Sequence, residues 1–365
     1  MTRTTLRDLW AHKRRLISTC IAVLLGVAFM SGTLVLTSTI NSVFDDLFAA
    51  GTKGTDAVVR GPVLFKSERG GEQRDRLPED VVTKVRAVPG VAAASPAIAS
   101  FEFTLLNKKG DPMGGAGPPT IIGSWDTDPT LNPYQVVSGR APEANGEAVI
   151  NRAAANDGPF EVGDTLVLVT PEGRQKLKLV GISRFGDADS SGGVISVATT
   201  LAQAQTLAGA SNKLDQVNAR AKAGISPDQL VTQLRAAKVA PGANVITGEA
   251  LAKEQATDLK DVFGFFSKIL LTFAFIALFV GIFIISNTFS ILLAQRTKQL
   301  ALMRALGASR RQVLGSVLLE AGIIGVISAL LGFVAGVGLA QAAFVLLRKA
   351  GLDLPSTGLT ITAGN

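Results

Sequence analysis

The sequence predicts a helical membrane protein with three spans, expected to form part of a four-span set. An extracytoplasmic α/β (α+β) domain is inserted between spans 1 and 2. Two observations predict this. Leu16 to Ile40, Ile269 to Gln295 and Ala321 to Leu347 each run without a charged residue, and each exceeds the roughly 20 residues that carry a helix across about 30 Å of hydrocarbon. The net positive charge is concentrated in two short segments. The chain is 47% hydrophobic with a mean hydropathy of +0.34, and only 18% of its 365 residues are charged, which is unusual for a soluble domain.

Orientation follows from the basic residues. Arg3, Arg7, Lys13, Arg14 and Arg15 precede the first span against one acid, Asp8, and Arg296, Lys298, Arg304, Arg310 and Arg311 lie between the second and third spans with no acid. Residues 41–268 hold 24 basic and 26 acidic residues, so the net +7 of the chain belongs to those two segments. The positive-inside tendency places both in the cytoplasm and residues 41–268 outside. The same distribution argues against a nucleic-acid partner and for membrane lipids. The first apolar run is longer than a signal-peptide core and no A-x-A-like site follows it, so an uncleaved helix is expected. Cys20, preceded by Thr19 inside that run, fits a lipoprotein site poorly.

The chain divides as follows. Residues 1–15 are expected to form a cytoplasmic amphipathic helix, with Leu6, Leu9 and Trp10 facing lipid. Residues 16–50 read as transmembrane helix 1 and an outer stalk, because Ile40, Val43, Phe44, Leu47 and Phe48 recur at helical spacing. Gly51 is a natural stop, since glycine tolerates the left-handed turn that ends helices. Residues 52–248 are the outer domain, expected as two α/β lobes. Strands are predicted at Ala148 to Ile150, Thr165 to Val169, Lys176 to Ile182 and Gly193 to Val197. Helices are predicted at Pro78 to Val88, Thr200 to Leu207 and Ser226 to Ala237, the last opening with an N-cap serine and proline. Gly110 to Pro119 reads as a loop. Residues 249–295 form a second stalk and span. Leu259, Val262, Phe263, Phe266 and Leu270 make a stripe suited to the one on the first stalk, and Gly264 is the weak point of the rod.

Residues 296–312 carry the strongest local signals. A helical extension ends at Gly307, and Ser309 with Gln312 fits a capping box, so the third span, 313–347, starts after a tight corner that holds its basic residues at a fixed angle. Residues 348–365 would be an outer tail. Along the third span, Ser328, Gly332, Gly336 and Ala340 fall four apart. Such a small-residue ridge lets another helix approach closely, either within the chain or on a second subunit. Glu320 is a candidate intramembrane polar contact.

Several classes of chemistry are excluded. The single Cys and single His, Cys20 and His12, lie outside the outer domain, so that domain has no disulfide framework, Cys/His metal site or His-based triad. No G-x-x-x-x-G-K-[ST] loop occurs, so the chain has no Walker-type ATP site of its own. No catalytic or metal-binding residue is assigned and no cofactor is expected. Asp187 and Asp189, in a glycine- and serine-rich segment, are the one acidic cluster of note, and a solvated loop accounts for them.

The run Arg296 to Val313, ending Arg304-Ala305-Leu306-Gly307-Ala308-Ser309-Arg310-Arg311-Gln312-Val313, resembles the signature loop of FtsX-like permeases of the MacB type. Glu320-Ala321 and the glycines through Gly336 resemble that family's third span. Gly139-Arg140-Ala141-Pro142, Gly146-Glu147-Ala148-Val149-Ile150, Val162-Gly163-Asp164-Thr165 and Val180-Gly181-Ile182 resemble its periplasmic core domain. Gln299 departs from the family's usual Glu. The family pattern has a fourth span, so this chain reads as a truncated protein, an N-terminal half, or a three-span protein completed by a partner.

The resemblance implies the membrane subunit of an ABC transporter. A separate cytoplasmic ABC ATPase would bind the ATP and dock on Arg304, Leu306, Gly307, Ala308, Ser309, Arg310 and Arg311, and on the N-terminal helix. A second permease subunit, as homodimer, heterodimer or second half of a longer chain, would complete the assembly. ATP-driven motion of the stalks would reshape the outer domain to export or extract a substrate. The alternatives are an ATP-driven regulator of an external cell-wall hydrolase or sensor, and a membrane-anchored enzyme with a carboxylate site in the outer domain.

Overall fold

The computed structural model describes residues 13–66, 72–114, 120–307 and 309–349. The expected amphipathic helix and the outer tail therefore lie outside the described residues, apart from Lys13 to Arg15 and 348–349. Helix α1 (Lys13–Gly51) is a single element of 39 residues. Four short helices follow: α2 (Val81–Arg86), α3 (Arg152–Asp157), α4 (Leu201–Leu207) and α5 (Pro227–Ala236). Helix α6 (Gly248–Ala305) then runs for 58 residues, about 87 Å at 1.5 Å per residue. It passes through Gly264 unbroken. Helix α7 (Arg310–Lys349) completes the described chain. Among the described residues, three segments are long and apolar enough to cross a membrane: Cys20–Gly51, Ser267–Gln295 and Ala321–Leu346.

The chain forms two compact units, one built on residues up to Ile40 with Phe263–Val345, the other on Asn41–Val262. In the first, α1 meets both other long helices. The Thr37 and Ser267 hydroxyls are 3.0 Å apart across α1 and α6, and the Cα of Gly281 on α6 faces the Ala22 carbonyl.

The second unit contains two lobes. In the smaller, the strands Asn244–Thr247, Ala57–Arg60, Gln216–Ala221 and Val91–Ala97 lie in that order, all antiparallel. Alternation fails on the inner strand Ala57–Arg60, whose four residues are all buried. Val59, Val217 and Val245 from the sheet pack with Val81 and Val85 of α2 and Leu230 and Leu234 of α5 into one core. Helix α5 starts where Ser226 and Gln229 satisfy each other's backbone amides, with Pro227 at the first helical position.

The larger lobe is an eight-stranded mixed sheet. Its order is Ala99–Ser100, Thr120–Ser124, Ile195–Thr199, Glu147–Asn151, Gly173–Phe185, Thr165–Thr170 and Thr104–Leu106, with Tyr134–Gly139 pairing the far half of Gly173–Phe185. Two neighbouring pairs are parallel, Glu147–Asn151 with Gly173–Phe185 and Thr120–Ser124 with Ile195–Thr199. Leu105, Ile150, Leu166, Leu168, Leu179 and Val197 close over Ala154 and Ala155 of α3.

Some element boundaries differ from expectation. Pro78 is not helical: Leu77–Pro78 pairs with Lys213–Leu214, and α2 begins only at Val81. The strand expected at Gly193 to Val197 is Ile195–Thr199, because Gly192 and Gly193 adopt positive φ in the turn before it. The strand expected at Lys176 to Ile182 extends to Gly173–Phe185, since its two halves have different partners. Gly51 ends α1, but the left-handed residue is Gly54. Gly51 makes a different contribution: a Cβ there would lie 3.1 Å from the Phe185 ring, which would have to give by a few tenths of an ångström.

The glycine-rich motifs of the larger lobe also acquire reasons. Gly139 at φ +74° and Gly181 lie against backbone, where a Cβ on either would collide with the Val180 or Arg140 carbonyl. Between them Arg140 and Glu147 clamp a turn. The Arg140 guanidinium donates to both Glu147 oxygens, and the amides of Glu143 and Ala144 donate to one of them at 3.0 and 3.3 Å. These bonds, Arg140 first, hold the Glu147 carboxyl down at about 2. Asp164, bonded by Lys108 at 2.7 Å and by the Glu161 amide, is likewise lowered.

Candidate functional site

The corner between α6 and α7 is built by three local devices. The Leu306 amide donates to the Leu302 carbonyl, continuing the last turn of α6. Gly307 then takes φ +97°, a left-handed conformation that other residues adopt only with strain. Finally the Ser309 amide donates to the Gln312 side-chain oxygen at 2.9 Å, while the Gln312 amide donates to the Ser309 hydroxyl at 3.3 Å. This reciprocal cap starts α7 at Arg310. Leu306 and Gly307 on one side and Ser309 on the other thus carry the local devices that end α6 and start α7.

The side chains at this corner face solvent. Leu306 is 82% exposed, and Leu302 and Leu314 are exposed beside it. Gly307, Ser309, Arg310 and Arg311 are exposed too. Residues 296–312 contain no acid to neutralise the two arginines. The combination is a bare leucine flanked by uncompensated guanidinium groups on a stiff turn. Chemically it suits a partner groove that pairs an apolar pocket with carboxylates. The Arg304 side chain and residue Ala308 lie outside the described residues, as does the Glu320 side chain.

The small-residue ridge of α7 lies against α1 of the same chain. A Cβ on Gly336 would stand 2.5 Å from the Ala28 carbonyl oxygen and 2.9 Å from the Gly32 nitrogen, and would overlap the Ser31 hydroxyl. Gly32 reciprocates: its own Cβ would lie 3.0 Å from the Gly336 carbonyl oxygen. One step along, Gly332 faces Leu24 and Val27, both at 2.9 Å. Ser328 and Ala340 are 1% and 2% exposed, and the Ser328 hydroxyl has no hydrogen-bond partner among the described residues. The contact is selective. Gly322, Gly325 and Gly338 on the same helix meet nothing within 4 Å.

The acidic cluster of the outer domain is structural. The Asp189 carboxylate pairs with Arg184 at 3.1 Å and Arg152 at 3.4 Å, and the Asp187 carbonyl accepts from Arg184. Two arginines thus pair with Asp189 and tie its loop to α3 and the long strand. Among the described residues no group of three His, Cys, Asp or Glu could hold a metal ion.

Sequence reasoning missed the buried Arg60. It lies on the inner strand of the smaller lobe, bonds Asn244 at 3.1 Å and pairs with Glu254, about two turns into α6. An alternating strand pattern would have marked it as odd; the continuous run Ala57-Val58-Val59 hid it.

Continuous helices that can span a membrane, an α/β domain between the first and second, and a capped basic corner between the second and third define a polytopic membrane protein of inserted-domain design. Residues 16–237 match the MacB-like periplasmic core domain model, and residues 271–362 match the FtsX-like permease C-terminal model. The chain belongs to this family, the FtsX/MacB-type ABC transporter permeases. It is 27% identical over 228 residues to an uncharacterized ABC transporter permease of Methanocaldococcus jannaschii, covering 60% of this chain and 54% of that protein. The chain therefore spans about half the length of that curated relative. Among solved structures it is similar to the periplasmic region of MacB from Actinobacillus actinomycetemcomitans, with 8% identity, 56% of this chain and 94% of that chain covered, and a TM-score of 0.41. It is also similar to the extracellular domain of the noncanonic ABC-type transporter YknZ from Gram-positive bacteria, at 11% identity, 52% and 97% coverage and a TM-score of 0.37.

Proposed function

We propose that this permease subunit lies in the cytoplasmic membrane and couples ATP hydrolysis by a separate cytoplasmic ATPase to motion of its outer domain, which exports or extracts a substrate on the outer side. ATP is bound by the partner, and a second permease subunit or half completes the assembly. The observation that carries the reading is the exposed corner of Leu306, Gly307 and Ser309 to Arg311, with its glycine turn and reciprocal cap. It ends the unbroken helix α6, whose other end leads directly from strand Asn244–Thr247 of the outer domain. A push on the corner therefore enters a single hydrogen-bonded element, whose stiffness transmits it better than a loop would.

The test is affinity capture of the full chain from native membranes, comparing the wild type with Arg310→Glu/Arg311→Glu. The wild type should bring down a Walker-motif ATPase whose yield falls at least tenfold in the variant, while the variant's own membrane level stays unchanged. Equal recovery of the ATPase from both would overturn the docking assignment.

A further inference from the structure

The two stalk helices end on different lobes. The last turns of α1 pack on the larger lobe. A Cβ on Gly192 would lie 3.3 Å from Leu47, one on Gly51 would lie 3.1 Å from the Phe185 ring, and one on Gly186 would lie 4.0 Å from the Ala50 Cβ. Just past the helix, Gly54 abuts the Thr130 carbonyl of the same lobe. Phe185 is itself held, edge-on to half-buried Tyr134 at 5.1 Å, and Tyr134 shares a hydrogen bond with Ser196.

The first turns of α6 belong instead to the smaller lobe. Strand Asn244–Thr247 runs into the helix without a break, and the Thr247 hydroxyl accepts from the Ala250 amide at 3.1 Å. Glu254 then pins the helix to the buried Arg60 of the neighbouring strand and reaches Arg74 at 3.7 Å. Between these two attachments lies a cavity of about 270 Å³. Leu47 and Phe48 line it from α1, Leu251 from α6, Asn218 from the smaller lobe, and Tyr134 and Phe185 from the larger. It is a cleft open to solvent on one side rather than an enclosed void. It lies where all four parts meet, so it leaves them room to shift.

We infer that α1 is fastened to the larger lobe and α6 to the smaller, so that a change in the spacing of the two rods opens or closes one lobe against the other about this cavity. The tether Thr52 to Thr55, which joins α1 to Asp56 and the inner strand Ala57–Arg60, is the pivot; Asp56 itself is bonded to Ala219 and Ala221 of the smaller lobe. The inference rests on the proposed coupling to an ATPase, because that supplies the rod motion.

The experiment uses the full chain with its captured ATPase, in a Cys20→Ser background. Spin labels attached through non-natural residues go at Asp46 and Thr257 to follow the rods, and at Lys84 and Lys109 to follow the lobes. Ala50→Cys/Gly186→Cys, whose Cβ atoms would stand 4.0 Å apart, adds a disulfide across the α1 attachment, and the positive φ of Gly186 makes a folding control necessary. The reduced form of the same protein serves as its folding control; if that form does not fold, the Asp46-to-Lys109 label distance replaces the disulfide, and it should stay constant on addition of ATP, a change overturning the α1 attachment. Addition of ATP should shift both the rod and the lobe distances, and the oxidised disulfide should leave both shifts intact. Moving rods with a constant lobe distance, or a lobe shift abolished by the disulfide, would overturn this inference alone. Rods that stay in place would overturn the proposed coupling and the inference with it.

Discussion

Replacing Gly336 by alanine tests the packing of α7 on α1 most directly. The added methyl would stand 2.5 Å from the Ala28 carbonyl oxygen, whereas real Cβ contacts stay beyond 3.0 Å. The deficit of about 0.5 Å is against backbone, so no rotamer change relieves it and the helices must separate locally. Such overpacking costs about 1–3 kcal/mol, and 2 kcal/mol is roughly a 30-fold change in the folded population. Gly332→Ala, with contacts at 2.9 Å to Leu24 and Val27, should cost less. Gly338→Ala meets nothing within 4 Å, and there the higher helix propensity of alanine should leave stability unchanged or raised by up to about 1 kcal/mol. The assay is reversible unfolding of the full chain in bicelles, supported by melting curves in mild detergent. The expected order of stability is Gly338→Ala, then Gly332→Ala, then Gly336→Ala. A Gly336→Ala protein as stable as wild type, or indistinguishable from Gly338→Ala, would refute the close approach of the two helices.

Two further outcomes are expected in the outer domain. Glu254→Ala leaves the nearly buried Arg60 guanidinium without its carboxylate partner and should destabilise the full chain by about 1–3 kcal/mol in denaturant titration. Adding Arg60→Met should recover part of that loss, because the uncompensated charge is then gone. The Glu147 carboxyl, held at about 2 against an ordinary 4.5, contributes stability that is fully present above pH 4.5 and is lost as pH falls toward 2. Glu147→Gln should flatten the stability–pH curve in that window, read as a melting temperature at each pH. An unchanged slope would mean that the Arg140 clamp is not formed.

Much of the architecture was legible from local signals. Charge-free runs of 25 residues or more can be recognised without tertiary knowledge, because the bilayer sets a length that few soluble helices need. The N-cap at Ser226 and the capping box at Ser309/Gln312 were equally visible, since every group in such a cap lies within four residues of chain. The corner at Gly307 was readable for the same reason. Element ends in the outer domain were less so. Pro78 follows a pairing partner about 135 residues away, at Lys213–Leu214, and no local pattern reports such a contact.

The sequence by itself determined how many helices reach membrane length, where the inserted domain lies between them, and where the basic corner falls, because each depends on composition or on neighbours within a turn or two. Only the tertiary structure decided which glycines of α7 touch another helix and which are bare, that Gly51 makes room for Phe185, and that Arg60 and Glu254 fasten α6 to the smaller lobe. Those facts depend on surfaces meeting across 130 residues or more of chain, and spacing along one element cannot say what it faces.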